Sequence, residues 1–140
     1  LIYLDTSVVL ARLLAEDRSP PESLWSRPLV ASRLLEFELF NRLHARGASA
    51  SHGIDARQLV DRVHLVEMSA TVLSRALLPF SRPVRTLDAL HLATMDFLRR
   101  QGLVPELATY DRRMAEAAAG EGFALADCCG PDRPRRPGSP

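Results

Sequence analysis

The sequence predicts one α/β domain on a mostly parallel sheet, and three observations carry that prediction. Five apolar runs of strand length, at residues 1–4, 29–31, 63–66, 107–109 and 123–125, are separated by stretches of helical periodicity. Strands that alternate with helices build parallel sheets covered on both faces. The 140 residues, 46% hydrophobic and 25% charged, suffice for one core and not for two.

Each element has a local reason. The first run ends at Asp5, and Thr6 and Ser7 follow as N-cap candidates for a helix from Val8 to about Ala15. Residues 18–28 hold three prolines, which makes them a loop with one helical turn at 22–25. Ser32 closes the second run and caps a helix to Ala45 or Arg46. Small residues at 47–53 read as a loop before a helix at 54–62 and the third run. Ser69 caps a helix to Leu78 that Pro79 and Pro83 stop. Thr86 caps a helix to Arg100, with Gly102 as its terminator. Beyond the fourth run, residues 111–120 form an alanine-rich helix that leads to the last strand. Residues 130–140 contain four prolines and three arginines, so residues 1–127 are expected to fold and 128–140 to be a disordered tail.

Composition excludes several functions. The net charge of +1 means that any contact with nucleic acid must be local. All 18 basic residues are Arg and none is Lys, which removes P-loop, Schiff-base and lysine-clamped phosphate chemistry. The two cysteines, Cys128 and Cys129, are adjacent, so neither a disulfide framework nor a zinc site is expected, and a reducing cytoplasmic setting fits. The first apolar run breaks at Asp5 and lacks a basic flank, and no run reaches the length of a membrane span. The chain opens on Leu1 rather than Met, so we expect one or more residues before it.

Carboxylates are the chemistry that remains. In open parallel sheets, sites form beyond the carboxyl ends of the strands. Asp5 ends the first strand there and Asp111 follows the fourth, while Asp88 lies in the first turn of a helix and Glu36 and Glu38 lie on the helix after the second strand. Carboxylates gathered at one edge repel unless protons or a hard cation such as Mg²⁺ or Mn²⁺ stand between them. Each also has a structural reading. Asp5 and Asp111 suit helix N-caps, Asp88 suits a helix dipole, and Glu38 is one turn from Arg42. His91, one turn after Asp88, reads as structural support. Helical phase does not choose between Glu36 and Glu38, which point to nearly opposite faces.

The segments L-I-Y-L-D-T-S at 1–7, T-L-D-A-L-H-L-A-T at 86–94 and A-T-Y-D-R-R-M-A-E-A-A at 108–118, in that order, resemble the PIN domain family and, within it, the VapC toxins of toxin–antitoxin pairs. The resemblance covers residues 1 to about 127. It implies a Rossmann-like three-layer α/β/α fold and a Mg²⁺- or Mn²⁺-dependent endoribonuclease whose metal ligands fall on Asp5, Asp88 and Asp111. The family's glutamate lies six residues after a Ser or Thr; counted from Ser32 that is Glu38. Thr6 and Thr109 match hydroxyl positions that flank the family's site, with cap and strand-end roles equally open to them.

The resemblance further implies cleavage by water to 5′-phosphate and 3′-hydroxyl ends, a homodimer, and a VapB-type antitoxin. Arg82, Arg85, Arg112 and Arg113 flank the motifs and are candidate RNA contacts, or else solvated helix-end charges. Leu24, Trp25 and Phe40 would line a partner surface or fill the core. Two competing readings are a receiver-like phosphoryl-transfer domain, which the missing lysine disfavours, and a PIN-like module that binds RNA or protein without cutting.

Overall fold

All three residues of β1 (Ile2–Leu4) are fully buried, because this strand is paired along both edges and covered on both faces. The structure, a computed structural model, describes residues 1–16 and 18–127. The expected tail at 128–140, with Cys128 and Cys129, lies outside the described residues. β1 runs parallel to β2 (Leu29–Ser32) on one side and to β4 (Glu106–Ala108) on the other, and β3 (His64–Val66) extends the sheet beyond β2. The order is β3-β2-β1-β4, and Leu125 adds a parallel bridge to Leu107 at the outer edge where a fifth strand was expected.

Successive side chains on a strand face opposite ways, and this sorts the core into two. Ile2, Leu4, Leu29, Ala31 and Ala108 pack against α1 (Thr6–Leu13), α2 (Glu22–Trp25), α3 (Leu34–Ala45) and α4 (Ser49–Asp61). Tyr3, Val30 and Leu107 pack against α6 (Thr86–Arg100) and α7 (Arg112–Gly120), and α5 (Ala70–Ala76) lies on α6. The result is the expected three-layer α/β/α sandwich. Right-handed crossovers account for it: the path β1, β2, β3 moves one way with its helices on one face, and the return to β4 passes to the other face. The order therefore reverses between β1 and β4, which opens a crevice at their carboxyl ends.

Several local expectations need correction. The loop foreseen at 47–53 is short, because Ala48 N–H donates to the Leu43 carbonyl and Gly47 takes a left-handed φ of 63°, so α4 begins at Ser49 and contains Gly53. The cap position of α1 is Asp5, and that of α6 is Arg85, so Thr6 and Thr86 are first helical residues. Ser69 does cap α5, accepting from Val72 N–H. Leu24 and Trp25 are core residues, and Phe40 lies half-buried beneath the Arg57 guanidinium, 4.5 Å from its ring centre, so none of the three forms an open apolar surface. Among the described residues no helix is long and apolar enough to cross a membrane.

One buried charge fastens the second helical layer. Asp96 on α6 accepts from Arg99 at 2.6 Å and from Arg75 of α5 at 3.1 Å, with Arg100 at 3.2 Å. Burial alone would raise this carboxyl, but the Arg99 hydrogen bond, the charges of Arg100 and Arg99 and the Arg75 hydrogen bond outweigh it and hold the group below its ordinary value. Its contribution is therefore complete above the unfolded value of about 4 and is lost as pH falls through the folded one. Replacing Asp96 by Asn leaves Arg75 only the more distant Glu121 carboxylate, at 3.7 Å, and should destabilise the fold by about 3 kcal/mol near neutral pH. Urea unfolding at neutral and acid pH should also show a shallower loss of stability on acidification in Asp96→Asn than in the wild type.

Candidate active site

Asp5 is where β1 hands over to α1. Its N–H donates to the Ala108 carbonyl at 2.9 Å, which carries the β1–β4 pairing one residue past the strand. It sits at the N-cap of α1 without capping it. Its Oδ2 instead accepts from the Ser7 hydroxyl at 2.6 Å and the Thr109 hydroxyl at 2.7 Å. Those oxygens accept in turn from backbone: Ser7 from Tyr110 N–H at 2.9 Å, Thr109 from Asp111 N–H at 3.0 Å. One carboxylate thus fastens the ends of two neighbouring strands. Ser7 was read in the sequence only as a cap, although a hydroxyl two residues after an Asp is within local hydrogen-bonding reach.

A second chain of hydrogen bonds runs through the sheet to α3. The Tyr3 hydroxyl accepts from Ser32 N–H at 3.2 Å and bonds His91 Nδ1 at 2.8 Å, and His91 Nε2 meets Glu38 Oε1 at 2.6 Å. The carboxylate accepts there, so Nε2 carries a proton, and the Tyr3 hydroxyl pairs with the ring's other nitrogen. Burial pushes the Tyr3 phenol far above its ordinary range, which keeps it a donor. For His91, burial alone would lower the pKa, but the Glu38 hydrogen bond and charge, with Asp5 and Asp88 behind, raise it. Glu38 is thereby aimed into the crevice. Glu36 points away and is held by Arg57 at 2.6 Å and Arg33 at 3.2 Å, so tertiary placement separates the two glutamates where periodicity did not.

Asp88 and Asp111 share one counter-charge. The Arg85 guanidinium lies 2.9 Å from Asp88 Oδ2 and 2.5 Å from Asp111 Oδ2. The other oxygen of Asp111 caps α7, accepting from Arg113 N–H at 2.9 Å and Met114 N–H at 3.3 Å. Cap and pocket wall are thus two oxygens of one group. Arg82 pairs with Glu116, while Arg112 and Arg113 are exposed and make no ion pair among the described residues.

Asp5, Glu38, Asp88 and Asp111 line a single cavity of about 290 Å³ together with Thr6, Ser7, Arg42 and Arg85. No three His, Cys, Asp or Glu side chains among the described residues stand close enough as placed to hold a metal ion. The chemistry of the donors still fits a hard divalent cation, since the wall offers oxygen ligands from separate elements and room for its waters. Arg85 shows that the pocket draws positive charge. A larger, mostly apolar cavity of about 660 Å³ lies between α5, the 79–84 segment and α6, and its lining holds no carboxylate, His or Cys.

The PIN domain family model matches residues 2–120. Ribonuclease VapC46 of Mycobacterium tuberculosis is 36% identical over 130 residues, covering 89% of this chain and 95% of that protein. Ribonuclease VapC35 of the same species is 29% identical over 131 residues, covering 90% and 94%. Among solved structures, the chain is similar to a toxin–antitoxin complex from Klebsiella pneumoniae, with a TM-score of 0.65 at 18% identity over 86% of this chain and 94% of that one. It is similar also to M. tuberculosis VapC20, described as a Sarcin-Ricin loop cleaving toxin, with a TM-score of 0.64 at 18% identity over 90% and 98%. At such identity the two structures speak for the fold alone.

The Tyr3 hydroxyl links the core to the pocket, and its removal can be measured. Tyr3→Phe leaves Ser32 N–H and His91 Nδ1 buried without their partner and should cost about 2 kcal/mol in chemical denaturation. A loss under about 0.5 kcal/mol would mean that the relay to Glu38 is not held by Tyr3.

Proposed function

The chain belongs to the PIN domain family, and from that premise we propose that it is a VapC-type toxin, an endoribonuclease that uses Mg²⁺ or Mn²⁺ in the cytoplasm and is restrained by a VapB-type antitoxin. The observation that carries this reading is the meeting of Asp5, Glu38, Asp88 and Asp111 in one pocket at the switch point of the sheet. The names of the VapC relatives and the toxin–antitoxin neighbour support it. A homodimer follows from the same family reading.

In this mechanism Asp5, Glu38, Asp88 and Asp111 would hold the cation, directly or through water. A bound divalent ion supplies Lewis-acid stabilisation of phosphoryl charge and a more acidic water. The chain's own part is to keep its ligands ready. Ser7 and Thr109 fix the Asp5 carboxylate, Tyr3 and His91 aim Glu38, and Arg85 holds Asp88 and Asp111 until its guanidinium yields to the substrate complex. Water adds to phosphorus in line and gives up one proton, the bond from phosphorus to O3′ breaks, and the departing O3′ takes up a proton from solvent, so the net change is the addition of one water across the P–O3′ bond. The products are a 5′-phosphate and a 3′-hydroxyl. Arg112 and Arg113 beside Asp111, with Arg82 and Arg85, are the proposed RNA contacts.

The antitoxin-free protein should cut one or a few members of a panel of structured RNAs when Mg²⁺ or Mn²⁺ is present and not in EDTA. Asp5→Asn and Asp88→Asn should each lower the rate by about 100-fold or more, with Ser7→Ala losing about tenfold through misplacement of Asp5. Mapping the ends decides the chemistry, because a 2′,3′-cyclic phosphate would rule the mechanism out. Identical behaviour of wild type and Asp5→Asn on every RNA would favour a module that binds without cutting.

A further inference from the structure

Among the described residues, most polar side chains of the acidic pocket are committed to another part of the chain; Thr6, Arg42 and Thr86 are the exceptions. Thr86 is exposed to solvent at the start of α6. Thr6 differs. It is only 5% exposed, it lines the pocket, and its Oγ1 is buried without a hydrogen-bond partner. A buried hydroxyl left unsatisfied costs stability that a methyl group in its place would not, so its presence calls for an explanation outside the fold. Arg42 lies one turn after Glu38 on α3, at the spacing for an ion pair, yet Glu38 is taken by His91. Among the described residues the guanidinium is left exposed at the pocket without a partner.

We infer that Thr6 and Arg42 form the phosphate-holding side of this pocket, the Thr6 hydroxyl donating to a non-bridging oxygen of the RNA backbone while Arg42 supplies the neighbouring positive charge. This rests on the nuclease reading. The four carboxylates around the pocket are acceptors and repel a phosphodiester, so a bound RNA needs donors, and Thr6 of α1 and Arg42 of α3 are uncommitted ones beside Asp5 and Glu38. The i, i+4 rule hides Arg42 in the sequence by giving it Glu38, and a first-turn threonine there looks like a cap.

The test titrates a short fluorescein-labelled single-stranded RNA against the full chain in Ca²⁺ by anisotropy, with cleavage in Mg²⁺ and thermal melting followed in parallel. Thr6→Val should weaken RNA binding by about tenfold. Its melting temperature should stay level or rise by about 2–4 °C, because an unsatisfied hydroxyl is gone. Thr6→Ser should restore binding. Arg42→Gln, at an exposed position that does not burden folding, should weaken binding and make the slope of log affinity against log salt shallower by about 0.7. Thr6→Val binding within twofold of wild type overturns the inference, as does Thr6→Ser binding as weakly as Thr6→Val. If the wild type binds RNA and never cuts it, the nuclease reading falls while Thr6 and Arg42 are still judged by affinity. If the wild type cuts and both variants bind and cut like it, this inference falls alone; a wild type that binds no RNA overturns both.

Discussion

The pairing of β1 between β2 and β4 is the constraint from which the rest of this structure follows. It buries all of Ile2, Tyr3 and Leu4, so the strand is apolar but for the Tyr3 hydroxyl, which Ser32 and His91 satisfy. It also places the first charged side chain, Asp5, at the point where the chain departs to opposite faces. The Asp5 N–H continues the pairing to Ala108, and the Asp5 carboxylate gathers Ser7 and Thr109 across the same boundary. The site is therefore an extension of the sheet's hydrogen bonding rather than an addition to it.

Placing four carboxylates around one cavity sets like charges against each other, and the fold answers each separately. Asp5 has two hydroxyls, Glu38 has an imidazole backed by Tyr3, and Asp88 and Asp111 share Arg85. Each of these partners is polar, and all four side chains still line the cavity. Thr6 is the contrary case, a buried hydroxyl without a partner among the described residues. Such local costs are expected where a site must be ready before its ligand arrives.

The exclusive use of arginine shapes the surface as well. Planar guanidinium groups lie over Trp25, Phe40, Phe80 and Phe123 at 4.2 to 5.4 Å. Arginine can cover a ring and bond a carboxylate at once, as Arg75 does with Phe80 and Asp96, because its faces and its edge do different work. Aromatic residues that look like partner surfaces in the sequence are thus roofed by the chain's own cations.

The sequence by itself determined the order and type of the main elements, because apolar runs of strand length and capped helical stretches are local properties. It also marked Asp5, Asp88 and Asp111, whose positions at strand ends and helix starts are written in neighbouring residues. What only the tertiary structure decided concerns direction and partners. Glu38 rather than Glu36 turns inward because His91, 53 positions away, waits there. Ser7 serves Asp5 and not the helix because Thr109, 102 positions away, completes the grip. Arg42 loses its expected glutamate to that same histidine. A side chain chooses between a local and a distant partner by which one the packed fold brings within about 3 Å, and that distance is not encoded in any short stretch of sequence.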